Sequence, residues 1–156
     1  DEYGRPLPPS VLCQRHVQEG SVAAGNNQFE KAISEFEQAL KIDPKQESAR
    51  EGIAIALNNM AIEKDTGSEK SIELFRKALF WNPNCEVARS NLDSYLQSMG
   101  TDPKSFDARV KLAEQCLKKN DVIGAIVEYT QALVYKTDET VKKKLDALRA
   151  KKPSPT

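Results

Sequence analysis

One histidine and three cysteines are the side chains in this sequence most able to do chemistry. His16 is the single histidine, and Cys13, Cys85 and Cys116 lie far apart with no C-x-x-C pair. Zinc sites and disulfide frameworks need ligands or thiols at characteristic spacings, and a nucleophile needs a base within reach. The spacing therefore predicts no catalytic residue, no metal site and no cofactor. We expect His16 to be packed or half-exposed and the cysteines to be buried thiols.

The charged residues offer no stronger catalytic or nucleotide-binding candidate. Neither phosphate-binding pattern, G-x-x-x-x-G-K-[ST] or G-x-G-x-x-G, occurs. Glu35, Glu37 and Glu73 are interpreted as solvated residues on outward helical faces rather than as acid–base groups. The basic cluster at 142–152 lacks the interleaved aromatic residues typical of single-strand binding. We interpret it as the cation-rich end of a helix and expect no nucleic acid partner.

Charge and composition limit the class of protein further. The chain has 156 residues, with 23 basic and 23 acidic side chains. Residues 103–156 carry 12 basic and 7 acidic side chains, so this part has a net charge of +5 and the rest −5. No apolar run approaches the roughly 18 residues that span a bilayer. The first residue is Asp1 rather than Met, so we expect a fragment or processed form, and export from the cell is left open. The unpaired cysteines favour a reducing, cytoplasmic compartment.

The elements that must position these residues are all predicted to be helices. Apolar residues recur at three- and four-residue spacing between a proline-rich arm at 1–9 and a tail at 151–156. Asp43-Pro44, Asn82-Pro83 and Asp102-Pro103 are predicted to cap helices, with the proline in the first turn; Ser68, Asp121 and Asp138 are further candidate caps. The predicted helices are 10–25, 28–42, 45–64, 68–81, 84–99, 103–119, 122–136 and 138–150.

An internal repeat is the strongest signal in the sequence. EKAISEFEQALKIDP at 30–44 and EKSIELFRKALFWNP at 69–83 share seven identical positions, and GAIVEYTQALVY at 124–135 is a third copy. Each copy has a small residue, an aromatic residue four positions later, and then Ala-Leu. Gly20 and Ala113 stand twelve residues before the small residues Ala32 and Ala125. This pattern resembles the tetratricopeptide repeat, a helix pair of 34 residues.

The resemblance implies an all-α fold, a right-handed superhelical solenoid of antiparallel helix pairs. We expect a single domain at 10–150, with repeats at about 13–46, 47–85 and 106–139. The middle repeat is about five residues too long, which leaves the phase of its first helix open. The helix at 84–99 is an insertion that either caps the first two repeats or begins a degenerate third one. The helix at 138–150 is expected to be a solvating cap.

The resemblance also implies a concave groove, lined by the first helix of each pair, that binds a protein or peptide. Asn58 and Asn59 resemble the asparagines that hold extended peptide backbones in some members of the family. For Val17, Val110 and Leu117 the alternative is that they only pack against a neighbouring helix. The implied lining residues are Gln14, Val17, Ser21, Ala24, Asn58, Asn59, Lys64, Asp107, Val110, Lys111, Glu114 and Leu117.

One subgroup of the family binds the C-terminal carboxylate of heat-shock chaperones through lysine and asparagine side chains. Val17 and Ser21 stand where the first lysine and asparagine would be, and only Asn59 and Lys111 match the remaining positions. A lone exposed cation binds a carboxylate weakly in water. We therefore predict a less polar or mixed ligand than a chaperone tail.

Two functions remain after these exclusions. The first is a binding module that recruits a protein or peptide and supports assembly of a larger complex. The second is a self-associating scaffold, which the −5/+5 charge division and the inserted helix at 84–99 would favour. We predict that the protein is not an enzyme.

Overall fold

The computed structural model describes residues 2–64 and 67–155, and these residues form helices and connections without a strand. The all-α, repeat-like prediction is confirmed. Some predicted segments extend outside the described residues: the arm at position 1, the second repeat at positions 65–66 and the tail at position 156. Within the described residues there are eight helices: α1 (Pro9–Gly25), α2 (Phe29–Ile42), α3 (Glu47–Glu63), α4 (Ser68–Trp81), α5 (Glu86–Ser98), α6 (Phe106–Lys118), α7 (Val122–Tyr135) and α8 (Glu139–Ala150).

The pairs Asp43-Pro44, Asn82-Pro83 and Asp102-Pro103 each form a separate turn that precedes a helix, and they are not part of the helix's first turn. In each pair the side-chain oxygen before the proline accepts a hydrogen bond from the backbone N–H two residues later, at 3.0–3.1 Å. Asp and Asn favour such local bonds over helical geometry. Helices α3, α5 and α6 consequently begin three residues after the proline, and the prediction that Asp43, Asn82 and Asp102 cap these helices is wrong.

Side chains cap three helices in the second half of the chain. Asp121 accepts from the backbone N–H of Gly124 at 2.8 Å, and Asp138 accepts from that of Val141 at 2.9 Å, as predicted. Ser105, which the sequence analysis did not identify, caps α6. Ser68 is the first residue of α4 and provides no capping hydrogen bond. Each capping oxygen satisfies a backbone donor that the helix itself leaves unpaired.

The repeated residues form the core, which explains why the same pattern recurs. The aromatic residue of each copy is buried, with 2% exposure for Phe36, 0% for Phe75 and 1% for Tyr129. The ring of Phe36 lies between two helices, and each of them has a glycine facing the ring. A Cβ atom added at Gly20 in α1 or at Gly52 in α3 would lie within 3 Å of its ring. The predicted close contact at Gly20 is therefore confirmed, and Gly52 provides a second one on the next helix.

The first five helices form a regular stack. Helices α1 and α2 pair, as do α3 and α4, and α3 packs on both α2 and α1. Helix α5 packs on α4 and α3 in the same manner. It therefore occupies the place of the first helix of a third pair, but the chain continues directly into α6 without a matching second helix.

The last three helices form a second packed unit on the side of α4. Helices α6 and α7 pair, α7 packs on α4, and α8 packs on α7. Val141, Leu145 and Leu148 of α8 are buried, while its lysines are exposed. Phe80 of α4 contacts the cores on both sides and thus connects the two groups of helices.

Candidate functional site

The candidate site is the face shared by α1, α3 and α5, which we call the first-helix face. Helix α3 packs against four neighbours, namely α1, α2, α4 and α5. Its remaining solvent-facing residues recur every three or four positions, as expected for one stripe of a helix. This stripe consists of Ser48, Glu51, Ile55, Asn59 and Ile62, and Glu47 and Glu63 at the two ends of α3 are exposed as well. The matching stripes are Gln14, Val17 and Ser21 on α1, and Val87, Ser90 and Ser94 on α5.

Helix α1 supplies polar residues and one apolar residue to this face. Gln14 and Ser21 are exposed, whereas Val17 and Ala24 are half-buried and pack against the first core. The Ser21 hydroxyl donates to the carbonyl of Val17 at 3.0 Å. The hydroxyl is thus already bonded within its own helix, although its oxygen keeps acceptor capacity.

The two adjacent asparagines of α3 have different environments. Asn58 is 1% exposed and lies between α3 and α5, where its side-chain oxygen accepts from the amide of Asn91 at 2.9 Å. Its own amide donates to the side-chain oxygen of Asn59 at 3.2 Å. Asn59 is half-exposed. Because its oxygen is turned toward Asn58, the NH₂ group of Asn59 is the end available to a ligand. Lys64, at the end of α3, pairs with Glu30 of α2.

The predicted residues on α6 do not continue this face. Asp107, Lys111 and Glu114 are exposed, and Val110 and Leu117 pack against the second core. In the described part of the chain, α6 packs extensively on α7, not on α1 or α3. Helices α1 and α3, which carry the first two sets of predicted residues, are in contact, whereas the predicted residues of α6 belong to a different helix pair.

A buried ionic network, missed by the sequence analysis, sets the position of α6 and α7. Arg109 of α6 is 0% exposed. It donates to Glu128 of α7 at 3.0 Å, to Asp93 of α5, and to the carbonyl of Pro103 at 2.8 Å. Arg76 of α4 donates to the same Glu128 at 3.1 Å. Two cations and two anions thus meet where four helices converge, and burial of such charges is tolerated only when they are paired and bonded.

A second ionic contact concerns the only histidine. His16 Nδ1 lies 2.7 Å from Glu35 Oε2, and both side chains are about one-fifth exposed. The interpretation of His16 as half-exposed is confirmed. The interpretation of Glu35 as a solvated residue on an outward helical face is wrong, because the packing of α2 beside α1 places its carboxylate against the imidazole and leaves the side chain 21% exposed.

A cavity of about 490 Å³ lies between α4, α5 and α6. Its apolar part includes Ile72, Leu96 and Leu112, and its rim carries the ion pair of Lys119 with Glu69. Cys116 also contributes to the wall. Burial raises the pKa of the Cys116 thiol to about 11, so the thiol is protonated at neutral pH and is a poor nucleophile.

Cys13 is also unsuited to nucleophilic chemistry. All three cysteines are free and buried, as predicted. Burial and the nearby Asp43 carboxylate raise the pKa of Cys13 as well. These shifts favour the protonated thiol and give no sign of an activated nucleophile.

Comparison with known protein families agrees with this architecture. A tetratricopeptide repeat model matches residues 14–46, which comprise most of α1, all of α2 and the turn that follows. No curated protein matches the chain. None of the helices in the described residues is both long enough and apolar enough to cross a membrane. The first helix pair therefore matches a tetratricopeptide repeat, a kind of helical repeat that generally mediates protein–protein interaction and is typically found in non-enzymatic scaffolds.

Proposed function

We propose that this protein is a non-catalytic scaffold that binds a peptide or protein segment along the first-helix face and supports assembly of a larger complex. The observation that carries the proposal is the presence of exposed aliphatic side chains on this face. Ile55, Ile62 and Val87 are 42%, 53% and 50% exposed. Apolar side chains grouped on one surface and bordered by polar ones are typical of interaction sites.

The polar groups on the same face suit an extended peptide backbone. The bonds from Asn91 through Asn58 fix Asn59 with its NH₂ group outward. An amide donor held in this way can bond a peptide carbonyl without first losing rotamer freedom. Asn58 acts behind Asn59 as a positioning residue in this proposal.

The charge of the first-helix face indicates which ligands fit it. The charged side chains on the exposed side of α3 are acidic: Glu51 lies within the stripe, and Glu47 and Glu63 lie at the two ends of the helix. Such a face favours segments with aliphatic and uncharged polar side chains over acidic tails. This supports the prediction that the ligand is not a chaperone carboxylate.

The test is selection of random displayed peptides on the folded chain, followed by affinity measurement with variants. Ile55→Arg and Val87→Arg should each weaken the selected peptides about tenfold or more, the equivalent of about 1.4 kcal/mol. The matched control is Val134→Arg, because Val134 of α7 is 66% exposed and lies outside the first-helix face. Equal losses for all three variants, or a loss with the control alone, would contradict the proposal.

Sedimentation at several concentrations and at low and high salt distinguishes peptide binding from self-association. A monomer at all concentrations is the expected result. A dimer that dissociates in high salt would instead favour assembly through the oppositely charged halves of the chain. A dimer abolished by Ile55→Arg would indicate that a second copy occupies the first-helix face.

A further inference from the structure

The only histidine lies in a group of three possible metal ligands on the first helix pair. One ligand atom from each of His16, Glu19 and Glu35 lies within 4.8 Å of the others. His16 and Glu19 are three residues apart on α1, so they share one helical face. Glu35 comes from α2, and its carboxylate already contacts the imidazole.

We infer that His16, Glu19 and Glu35 form a binding site for a zinc-like divalent cation. One imidazole nitrogen and two carboxylate oxygens are a donor set that zinc accepts, and a water molecule can provide the fourth ligand. The mixed nitrogen and oxygen donors favour zinc and its neighbours in the transition series over magnesium and calcium, which prefer oxygen alone.

The geometry requires only small adjustments for such an ion. Ligand atoms about 2.0–2.2 Å from a tetrahedral zinc ion stand about 3.3–3.6 Å apart. The imidazole and the Glu35 carboxylate, now 2.7 Å apart, would therefore separate by less than about 1 Å. The Glu19 carboxylate would approach by roughly 1 Å, a movement open to an exposed side chain.

The surroundings permit entry of the ion and limit which ion can bind. Glu19 borders a surface crevice of about 430 Å³, which gives solvent access to its carboxylate, and the His16 and Glu35 side chains are 23% and 21% exposed. Arg15 and Lys31 line the same crevice. These cations disfavour binding that relies on charge alone, so the bond to the imidazole must contribute to affinity. The bound ion would also link α1 to α2 and stabilise the first helix pair.

The test uses zinc as the probe and the intact chain. Calorimetry should give a stoichiometry of one zinc ion per chain. In the proton NMR spectrum, the imidazole signal of His16 should shift as zinc occupancy increases. His16→Asn, which keeps an amide near Glu35, and Glu19→Gln should each lower the affinity about tenfold or more. Glu37→Gln is the matched control on α2, since its side chain points about 200° away from that of Glu35.

Stability provides an independent measurement. Zinc at a hundredfold excess over its dissociation constant should raise the Tm of the native sequence by about 5–10 °C, and the same zinc concentration should raise that of His16→Asn by no more than about half as much. Circular dichroism and Tm in the presence of a chelator show whether each variant is folded. If His16→Asn does not fold, Glu19→Gln still tests the inference, because Glu19 is exposed and its substitution should leave the fold intact.

Three results would overturn the inference. They are the absence of stoichiometric zinc binding, binding that survives both His16→Asn and Glu19→Gln, and binding that leaves the imidazole signal unmoved. In the second case the ion is adventitious only, held by other carboxylates or by the thiols.

Discussion

Replacing Gly52 with alanine tests the close helix packing that defines the first repeats. The added Cβ would lie 2.5 Å from Cζ and 2.6 Å from Cε2 of Phe36. Carbon atoms pack best at about 3.5–4.0 Å, so the methyl group would overlap the ring by about 1 Å. The ring has little room to move away, because a Cβ position at Gly20 on the other side is 2.7 Å from its Cε1 atom.

Two opposing effects determine how much unfolding free energy the Gly52→Ala variant loses. Overpacking of a core costs about 1–3 kcal/mol, and we expect the upper part of this range because Phe36 is 2% exposed and enclosed by α1 and α3. Alanine in place of glycine within a helix returns up to about 1 kcal/mol. The Gly52→Ala variant should therefore lose about 2 kcal/mol of unfolding free energy, equivalent to a decrease in Tm of about 4–8 °C.

Chemical and thermal unfolding measure this loss, and Gly25→Ala is the control. Gly25 is also helical, but a Cβ atom there would meet no heavy atom within 4 Å. Its substitution should leave stability unchanged or raise it. In a double-mutant cycle, Phe36→Leu should reduce the cost of Gly52→Ala by relieving the overlap. If Gly52→Ala were as stable as Gly25→Ala, the proposed contact between Phe36 and α3 would be refuted.

Two further measurements address buried ionisable groups. Glu128→Gln should lower the unfolding free energy by about 3–5 kcal/mol, because it leaves buried arginine charge uncompensated. The control Glu69→Gln, which removes an exposed pair with Lys119, should lower it by under about 1 kcal/mol. Equal losses of unfolding free energy in the two variants would contradict the role of the buried network. Cys116, with its pKa raised to about 11, should resist alkylation at pH 8 until the chain unfolds, and its contribution to stability should be complete below about pH 9 and be lost as the pH rises through about 11. Native labelling of Cys116 as fast as in denaturant would contradict this assignment.

The sequence was sufficient for features that depend on a few neighbouring residues. The recurrence of Ala-Leu after an aromatic residue identified the repeated helices, and Phe36, Phe75 and Tyr129 are all buried. The caps Asp121 and Asp138 were also predictable, since the acceptor and the donor are three residues apart. Local hydrogen bonding and helical periodicity are encoded within single turns, so they can be read from spacing.

Other local features were misjudged because two local structures compete for the same residues. Asp43-Pro44 and its two equivalents were expected at the first helical turn, yet the side chain preferred the backbone N–H two residues ahead. Both structures are compatible with an Asp-Pro pair, and spacing alone does not decide between them. The choice between them moves the start of α3, α5 and α6 by two or three residues.

Only the tertiary structure decided which distant residues meet. Arg109 and Glu128 are 19 residues apart and meet because α6 packs on α7, whereas Arg76 and Glu128 are 52 residues apart and meet because α7 packs on α4. The burial of Asn58 likewise follows from the docking of α5, and the exposure of Ile55 from the four neighbours of α3. Helical periodicity shows which stripe of a helix is apolar. Which neighbour covers that stripe, and which stripe remains for a partner, depends on the packing of whole helices.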